Sequence, residues 1–512
     1  MIFSPRPPRP RPFLRPRRAA VLVTAALFAL TPVASPAQGA PSTTAAPRVN
    51  WLGMNGDKLA YGRDAQGNRV PDYSYAGYRG GGVPLPAVPA RVTVPAPSGQ
   101  DDTAALQQAI DTASALPPDA QGFRGAVRLG PGRYRIGGTL RVTASGVVIR
   151  GSGGATVLAA DGARSRTLIT FGAKSSYGVV GTPARVTDDY VPVGSGTLTL
   201  SSTAGLSVGD AVVVERPTTQ AWIDAIGMKG IFTPDWSLRF ERRITAISGN
   251  RITLDIPLTN ALEQQYTQAT VYRYTFPRIS QVGLENLSAD GGAMTAAPDY
   301  SSTFYNAALW EFNAVEDSWV SNVVANRFGG AGQTALGPQS RRVSVLRTQM
   351  LDMVTTDSSA RSNAYLLQGQ QNLVQDCRVT ATKVHAFTTY GRQAGPNVFS
   401  RCTAELVQTT YDSGGHQRWG SGTLYDQLRV DGTLLLVNNG TRGSGHGWSD
   451  ANSTAYNCVT EGYRIQGPPT AHNWSFGCTG TLLDNSDGEV VSPGKPVLPA
   501  SLYDQQLADR TS

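Results

Sequence analysis

VQDC, at Val374 to Cys377, is one of eight statements of a single phrase between residues 284 and 478: an apolar or aromatic residue, a polar one, a bend-former and an inward-type residue. In order the copies read LENL at Leu284 to Leu287, VSNV at Val320 to Val323, LRTQ at Leu346 to Gln349 and VQDC, then FSRC ending at Cys402, YDQL ending at Leu428, AYNC ending at Cys458 and SFGC ending at Cys478. Gln349 is the poorest match. The last residues lie 36, 26, 28, 25, 26, 30 and 20 apart. A unit of that length, with period-2 alternation around a bend, cannot bury its own face, so stacked copies must supply the core to one another. The pattern predicts an all-β chain wound as a parallel β-helix, a solenoid.

The bend slot holds Asn286, Asn322, Asp376, Asn457 and Gly477, residue types that tolerate left-handed backbone cheaply, so each predicts a corner between two short strands. All four cysteines fall in the inward slot. Cys377 with Cys402, and Cys458 with Cys478, are each one coil apart. At a strand spacing of about 4.8 Å stacked cysteines could bridge or simply pack. Buried free thiols are the expectation.

Outward from this region the chain divides by texture. Residues 1–40 read as an export signal: Arg6, Arg9, Arg11, Arg15, Arg17 and Arg18 precede the apolar run AAVLVTAALFAL, with cleavage expected near Ala37 or Ala40. Without that segment, which has six Arg and no acid, the formal charge falls from +8 to +2. The basic balance therefore says little about the mature protein. The apolar run of the leader is too short to span a membrane comfortably, nothing else approaches a transmembrane stretch, and no basic tract with stacking aromatics points to nucleic acid. The expectation is a secreted protein that binds neither membrane nor nucleic acid. Its oligomeric state is left open.

Residues 41–98 are rich in Pro, Gly and Tyr without a sustained period and are expected to lie along the body, their tyrosines as anchors. Residues 99–186 open with SGQDDTAALQQAIDTASAL, a helix with Asp101 or Asp102 at its start and Ala105, Leu106, Ala109, Ile110 and Ala113 on one face, suited to cap an open solenoid end. The first coils follow from Gly125 to Gly153. Residues 187–276 change to strand-turn-strand signals, including a Gly-Asn hairpin turn, and predict an inserted small β-subdomain. Its stretch Thr218 to Phe240, with Trp222 and Trp236, reads as a loop over the body. Residues 277–490 carry the main coils and residues 491–512 a C-terminal tail.

The run GQDDTAALQQAID through AVRLGPGRYRI to GVVIRGSG resembles the opening of the pectate-lyase-like superfamily of secreted right-handed parallel β-helix proteins. RISQVGLENL, RQAGPNVFSRCTAE, GGHQRWGSGTLYD, NNGTRGSGHGWSDAN and PPTAHNWSFGC are similar to a bacterial group labelled "pectate lyase superfamily". The resemblance implies a right-handed β-helix and a carbohydrate context. It does not specify a reaction, because the fold serves lyases, hydrolases, tailspikes and binding proteins.

The four histidines, His385, His416, His446 and His472, fall within 88 residues of the repeat region. Side chains at equivalent points of successive coils line up about 4.8 Å apart, so distant His and Arg can become neighbours. KVHAFTTYGRQAG, YDSGGHQRWGSG and NNGTRGSGHGWSDAN each set a His beside Gly, Arg and an aromatic residue. β-Elimination on a uronate polymer needs a group to neutralise the C6 carboxylate, a base for the C5 proton and an acid for the departing oxygen. Arg418 or Arg392 is the expected neutraliser. His416 or His446 is the expected base, with His385 in the same cluster and Lys383 in reserve. Tyr390, Tyr411 or Tyr425 is the expected acid, Tyr425 the weakest because its slot points inward. Trp419 and Trp448 are expected to face sugar rings, and Arg442, Lys383 and Asp412 to contact substrate.

The competing structural reading makes these His and Arg residues pegs that fix long loops across coils, and His472 fits that better than catalysis. No HxH or HxxxH spacing supports zinc. No cofactor is certain. Asp352, Asp357 and Asp412 leave Ca2+ open without an EF-hand spacing. The runner-up reaction is glycoside hydrolysis, for which Asp352, Asp357, Asp376, Glu405 and Asp412 are available but scattered. A non-catalytic glycan-binding adhesin, or a trimeric tailspike-like assembly, completes the alternatives. The partner in each enzyme reading is an extracellular polysaccharide, an acidic one for elimination.

Overall fold

The computed structural model describes residues 49–162, 166–296, 307–329, 334–354, 363–381, 385–405 and 412–512. The leader expected over residues 1–40, together with Asp357, Lys383 and Tyr411, lies outside them. The described chain is mostly β, dominated by one large sheet whose strands pair in parallel.

The repeated phrase builds the first ladder of that sheet. Gly283–Asp290 pairs with Val315–Asn326, which pairs with Arg341–Leu346, and the series continues through Leu373–Gln375, Ala394–Ser400, Gly420–Asp426, Ser453–Tyr456 and Asn473–Phe476. After the corner a second ladder runs through Gln349–Leu351, Arg378–Thr380 and Thr403–Glu405 to Arg429–Leu436. A third carries Asn363–Leu367, His385–Thr389 and Asp412–Gly415. Segments 25 to 30 residues apart in sequence thus become lateral neighbours.

The corners have the predicted left-handed backbone: φ is +56° at Asn286, +53° at Asn322, +55° at Asp376, +48° at Asn457 and +65° at Gly477. Arg347, Arg401 and Gln427 take the same conformation, at +51°, +51° and +55°. Their side chains link corner to corner: Asn322 Nδ2 donates to Asn286 Oδ1 at 3.1 Å, Arg347 Nε to Asn322 Oδ1 at 2.9 Å, and Arg401 Nε to Asp376 Oδ1 at 2.9 Å. The third copy of the phrase is shifted by one residue from the sequence reading. Val345, not Leu346, pairs with Val374, and Thr348 fills the inward slot, fully buried with its Oγ1 3.2 Å from Cys377 Sγ. That slip explains why Gln349 fitted poorly.

Inside the ladders the apolar positions stack in register. Tyr365 stacks on Phe387 at 5.8 Å between centroids and Phe399 on Tyr425 at 5.6 Å, both pairs nearly parallel. Each buried ring of this kind contributes about 1.5–3 kcal/mol. The four cysteines are buried free thiols in the same core. The helix Thr103–Ala115 places Leu106, Ala109, Ile110 and Ala113 on that core.

The inserted region folds as a six-stranded antiparallel sheet. Its edge strand is Gly178–Arg185, so the sheet begins before residue 187, where the texture of the sequence changes; this strand is largely solvent-facing and lacks an apolar signature. The Gly249-Asn250 turn joins Ser237–Ser248 to Arg251–Leu254. The expected loop around Trp222 contains a short helix, Gln220–Ala225, whose first turn Thr219 Oγ1 caps by accepting from Trp222 N.

Gly422 lies where this subdomain meets the large sheet. Its φ is +72°, and a Cβ there would sit 2.4 Å from Thr259 Cβ. Gly422→Ala is expected to lower stability by about 1–3 kcal/mol through overpacking and strain. Urea unfolding should show a lower midpoint at unchanged m.

Residues 491–512 include a docked helix. The helix Leu502–Thr511 buries Leu502, Tyr503 and Gln506 against the N-terminal segment: Tyr503 Oη donates to Ala76 O at 2.8 Å and Gln506 Oε1 accepts from Tyr73 N at 2.8 Å. Tyr73 and Tyr78 of that segment are buried, with Tyr78 Oη donating to Gln281 Oε1 at 2.6 Å. Among the described residues no helix is long and apolar enough to cross a membrane.

Candidate active site

Three of the four histidines gather at one place. His385 begins the strand His385–Thr389, His416 follows the strand Asp412–Gly415 one rung on, and His446 enters from the loop that precedes Asp450–Ala451. Their rings form a row, His385 to His416 at 5.1 Å and His416 to His446 at 4.5 Å between centroids. Tyr390 stacks on His416 at 5.3 Å with 14° between planes. Main-chain bonds hold the row: His416 N donates to Thr389 O, and Arg418 N to His446 O, both at 2.9 Å.

One end of the row is anchored by a carboxylate. His385 Nδ1 lies 2.5 Å from Asp412 Oδ1. Burial pushes the Asp412 carboxyl up, but His385, His416 and Arg442 outweigh it and leave the group below its usual range. Asp412 is therefore committed to orienting His385. At the other end burial, then Arg418, His385 and Arg442, hold the half-buried His446 imidazole below its ordinary pKa, against a smaller opposing pull from Asp412. A neutral imidazole at neutral pH is a competent base.

The arginines frame the mouth. Arg418 and Trp419 both have φ +60°, a tight left-handed turn that directs the Arg418 guanidinium to Ser444 O and Ser444 Oγ, at 3.0 and 2.9 Å. Arg392, φ +44°, lays its guanidinium over the Trp236 ring at 5.1 Å. Tyr390, Arg392 and Arg418 line an open cleft of about 740 Å³ between the large sheet and the inserted subdomain. Arg442 lies on the exposed loop beside Asn439.

Two expected sugar platforms are not available. Trp419 is fully buried, donates Nε1 to Asn260 Oδ1 at 2.9 Å and meets Trp222 edge-on at 4.7 Å. Trp448 is 8% exposed and donates to Ile226 O at 3.1 Å. Both rings are the hydrophobic seam of the subdomain. Tyr425 is also sealed in the core, where burial drives its phenol far above its ordinary pKa, so it cannot serve as an acid. His472 is apart from the row, pairing with Asp64 at 2.9 Å and packing on Trp51 at 4.9 Å. Among the described residues no three His, Cys, Asp or Glu side chains converge as a metal ion requires.

Residues passed over in the sequence complete the surroundings. Tyr177, Glu215, Arg239 and Tyr272 form the subdomain wall of the cleft. Glu215, Arg239 and Tyr272 lie on ordinary strands and Tyr177 just before one, and nothing in their spacing marks them. Next to His416 in the chain, Gly415 N donates at 2.7 Å to Oδ2 of the fully buried Asp450, whose Oδ1 has no partner among the described residues. Burial raises this carboxyl from 3.8 to about 7, against its bonds to Gly415, Ser453 and Ser449, with Asp412 adding to the rise. Folded protein therefore binds the extra proton between those values, and stability from this group falls as pH rises through that window. Asp450→Asn keeps an acceptor for Gly415 and is expected to flatten the decline; urea unfolding at pH 5 and pH 8 measures it.

The sequence matches no established family model and no curated protein. Among solved structures, the chain is similar to a tailspike of a Pseudomonas phage at 15% identity over 76% of this chain and 68% of that one, with a TM-score of 0.39. It is similar to the A-module of a mannuronan C-5 epimerase from Azotobacter vinelandii at 12% identity over 80% of this chain and 95% of that one, with a TM-score of 0.36. An alginate lyase from a Paenibacillus species is 9% identical over 80% of this chain and 100% of that one, with a TM-score of 0.39.

Proposed function

We propose that the chain is an exported right-handed parallel β-helix that cleaves an acidic, uronate-containing extracellular polysaccharide by β-elimination. The observation that carries this reading is the imidazole row itself, stacked on Tyr390 beside two arginines that line a cleft. Each elimination role has an occupant. Arg418, with Arg392, draws charge from the C6 carboxylate and acidifies the C5 proton. His446 removes that proton. The C4–O bond then breaks, a C4–C5 double bond forms and the Tyr390 phenol supplies the proton to the leaving oxygen. Asp412 fixes the tautomer of His385, which supports His416 between the base and Tyr390. Export is supported by the six arginines and apolar run of residues 1–40.

Hydrolysis fits less well because three of the four described candidate acids are occupied and the fourth, Asp352, is exposed at a corner with φ +50°. Asp376 is a corner bonded to Arg401, Glu405 is paired with Arg378 at 2.7 Å, and Asp412 holds His385. A panel of polygalacturonate, alginate and glucuronan, with and without chelator, tests the assignment. Elimination produces a new ultraviolet absorbance from the unsaturated sugar and settles calcium dependence at the same time. New reducing ends without absorbance would move the reaction to hydrolysis, and retention of intact polymer without turnover would make the protein a binder.

A further inference from the structure

The subdomain wall of the cleft carries chemistry that the elimination roles leave unused. Arg239, on Ser237–Ser248, donates Nε and Nη2 to Glu215 Oε1 at 3.2 and 3.1 Å, while Tyr272 Oη donates to Glu215 Oε2 at 2.7 Å. The Arg239 guanidinium also lies 5.6 Å over the Tyr177 ring. Despite these contacts the Arg239 side chain is 45% exposed. A guanidinium presents five N–H donors in a fixed fork, so one held along one edge is already aimed for a second acceptor. Across the cleft stand Arg392 and Arg418, and the lining amides include Gln370 and Gln393. Among the described lining residues, three arginines stand against one carboxylate, that of Glu215, and give the lining a net positive charge. The volume, about 740 Å³, is in the range of ligand clefts, ~300–1,000 Å³.

We infer that this cleft binds the non-reacting residues of an anionic oligosaccharide, with Arg239 gripping a sugar carboxylate, so that the inserted subdomain forms half of the glycan site. The inference rests on the uronate reading above and adds the place and the residue that select for charge. Glu215 and Tyr272 set the height and plane of Arg239, and Tyr177 supports its face. A neutral glycan gains only an ordinary hydrogen bond to a hydroxyl from that arrangement, whereas a uronate carboxylate gains a charge-assisted, two-point one.

Isothermal titration of the full chain with tetrasaccharides of polygalacturonate and alginate, against a neutral cello-oligosaccharide, tests it. Arg239→Ala is expected to weaken binding of the uronate tetramer about tenfold, the loss of one charge-assisted bond. Arg239→Lys should recover part of it, and added salt should weaken wild type more than Arg239→Ala. Thermal melting checks that both variants fold. Unchanged affinity in Arg239→Ala, equal binding of the neutral sugar, or no binding of either uronate tetramer overturns the inference. Binding that depends on Arg239 without ultraviolet product in any protein keeps the cleft and removes elimination. Elimination with an unchanged KM in Arg239→Ala keeps the reaction and removes the cleft.

Discussion

His446→Ala is expected to lose about 10²–10⁴-fold in turnover of the uronate polymer, the usual contribution of a positioned general base. Binding of the same polymer should persist, because the residue removed is neutral at working pH and the arginines of the cleft remain. The pH profile gives a second and sharper readout. Since burial and the neighbouring cations hold the imidazole below its ordinary 6.5, the acid limb of kcat/KM should fall below pH 6.5. Steady-state rates of ultraviolet product between pH 4 and pH 9 measure it. Full turnover in the variant, or an acid limb above pH 6.5, would remove His446 from the role of base.

Glu241→Ala should cost about 3–5 kcal/mol of stability, the usual penalty for leaving buried partner charges uncompensated. Glu241 is buried on the subdomain strand Ser237–Ser248 and joins it to the large sheet: Arg278 Nη2 lies at 2.5 Å, Arg341 Nη1 at 3.1 Å and Tyr274 Oη donates at 2.6 Å. Tyr177 Oη donates to the same carboxylate. Burial opposes the charge, but Arg278 and Arg341 prevail and lower the carboxyl from 4.5 to about 2. A depressed carboxyl stabilises the fold above its unfolded value and loses that contribution as pH falls through the folded one. The wild type should therefore lose this share of stability between pH 4.5 and pH 2, and the variant should not. Urea unfolding across that range separates the two.

The repeated phrase was legible because its corners recruit Asn, Asp and Gly, whose tolerance of positive φ is written in residue type. Arg347, Arg401 and Gln427 occupy the same corners without that signature, which is why one copy was set a residue out of register. The His row was legible because rung spacing converts sequence distance into lateral distance. Trp419 and Trp448 were misread for a related reason: their burial comes from Asn260, Trp222 and Ile226, more than 150 residues away in the helix and loops of the inserted subdomain, and no local pattern reports such a partner. The cleft wall of Glu215, Arg239 and Tyr272 is equally silent in sequence, since outward residues on a strand look alike whether they meet water or a ligand.

The inserted sheet closes on itself: Gly178, near its entry, pairs with Thr275, near its exit. Entry and exit therefore behave as a single port in the scaffold, and the segment between them can be exchanged as a cassette without rethreading the neighbouring rungs. Whatever replaces it must bring its own counter-charge for Arg278 and Arg341 and an apolar cover for Trp419 and Trp448. Two sockets, one ionic and one aromatic, thus set the docking rules for any module that takes its place.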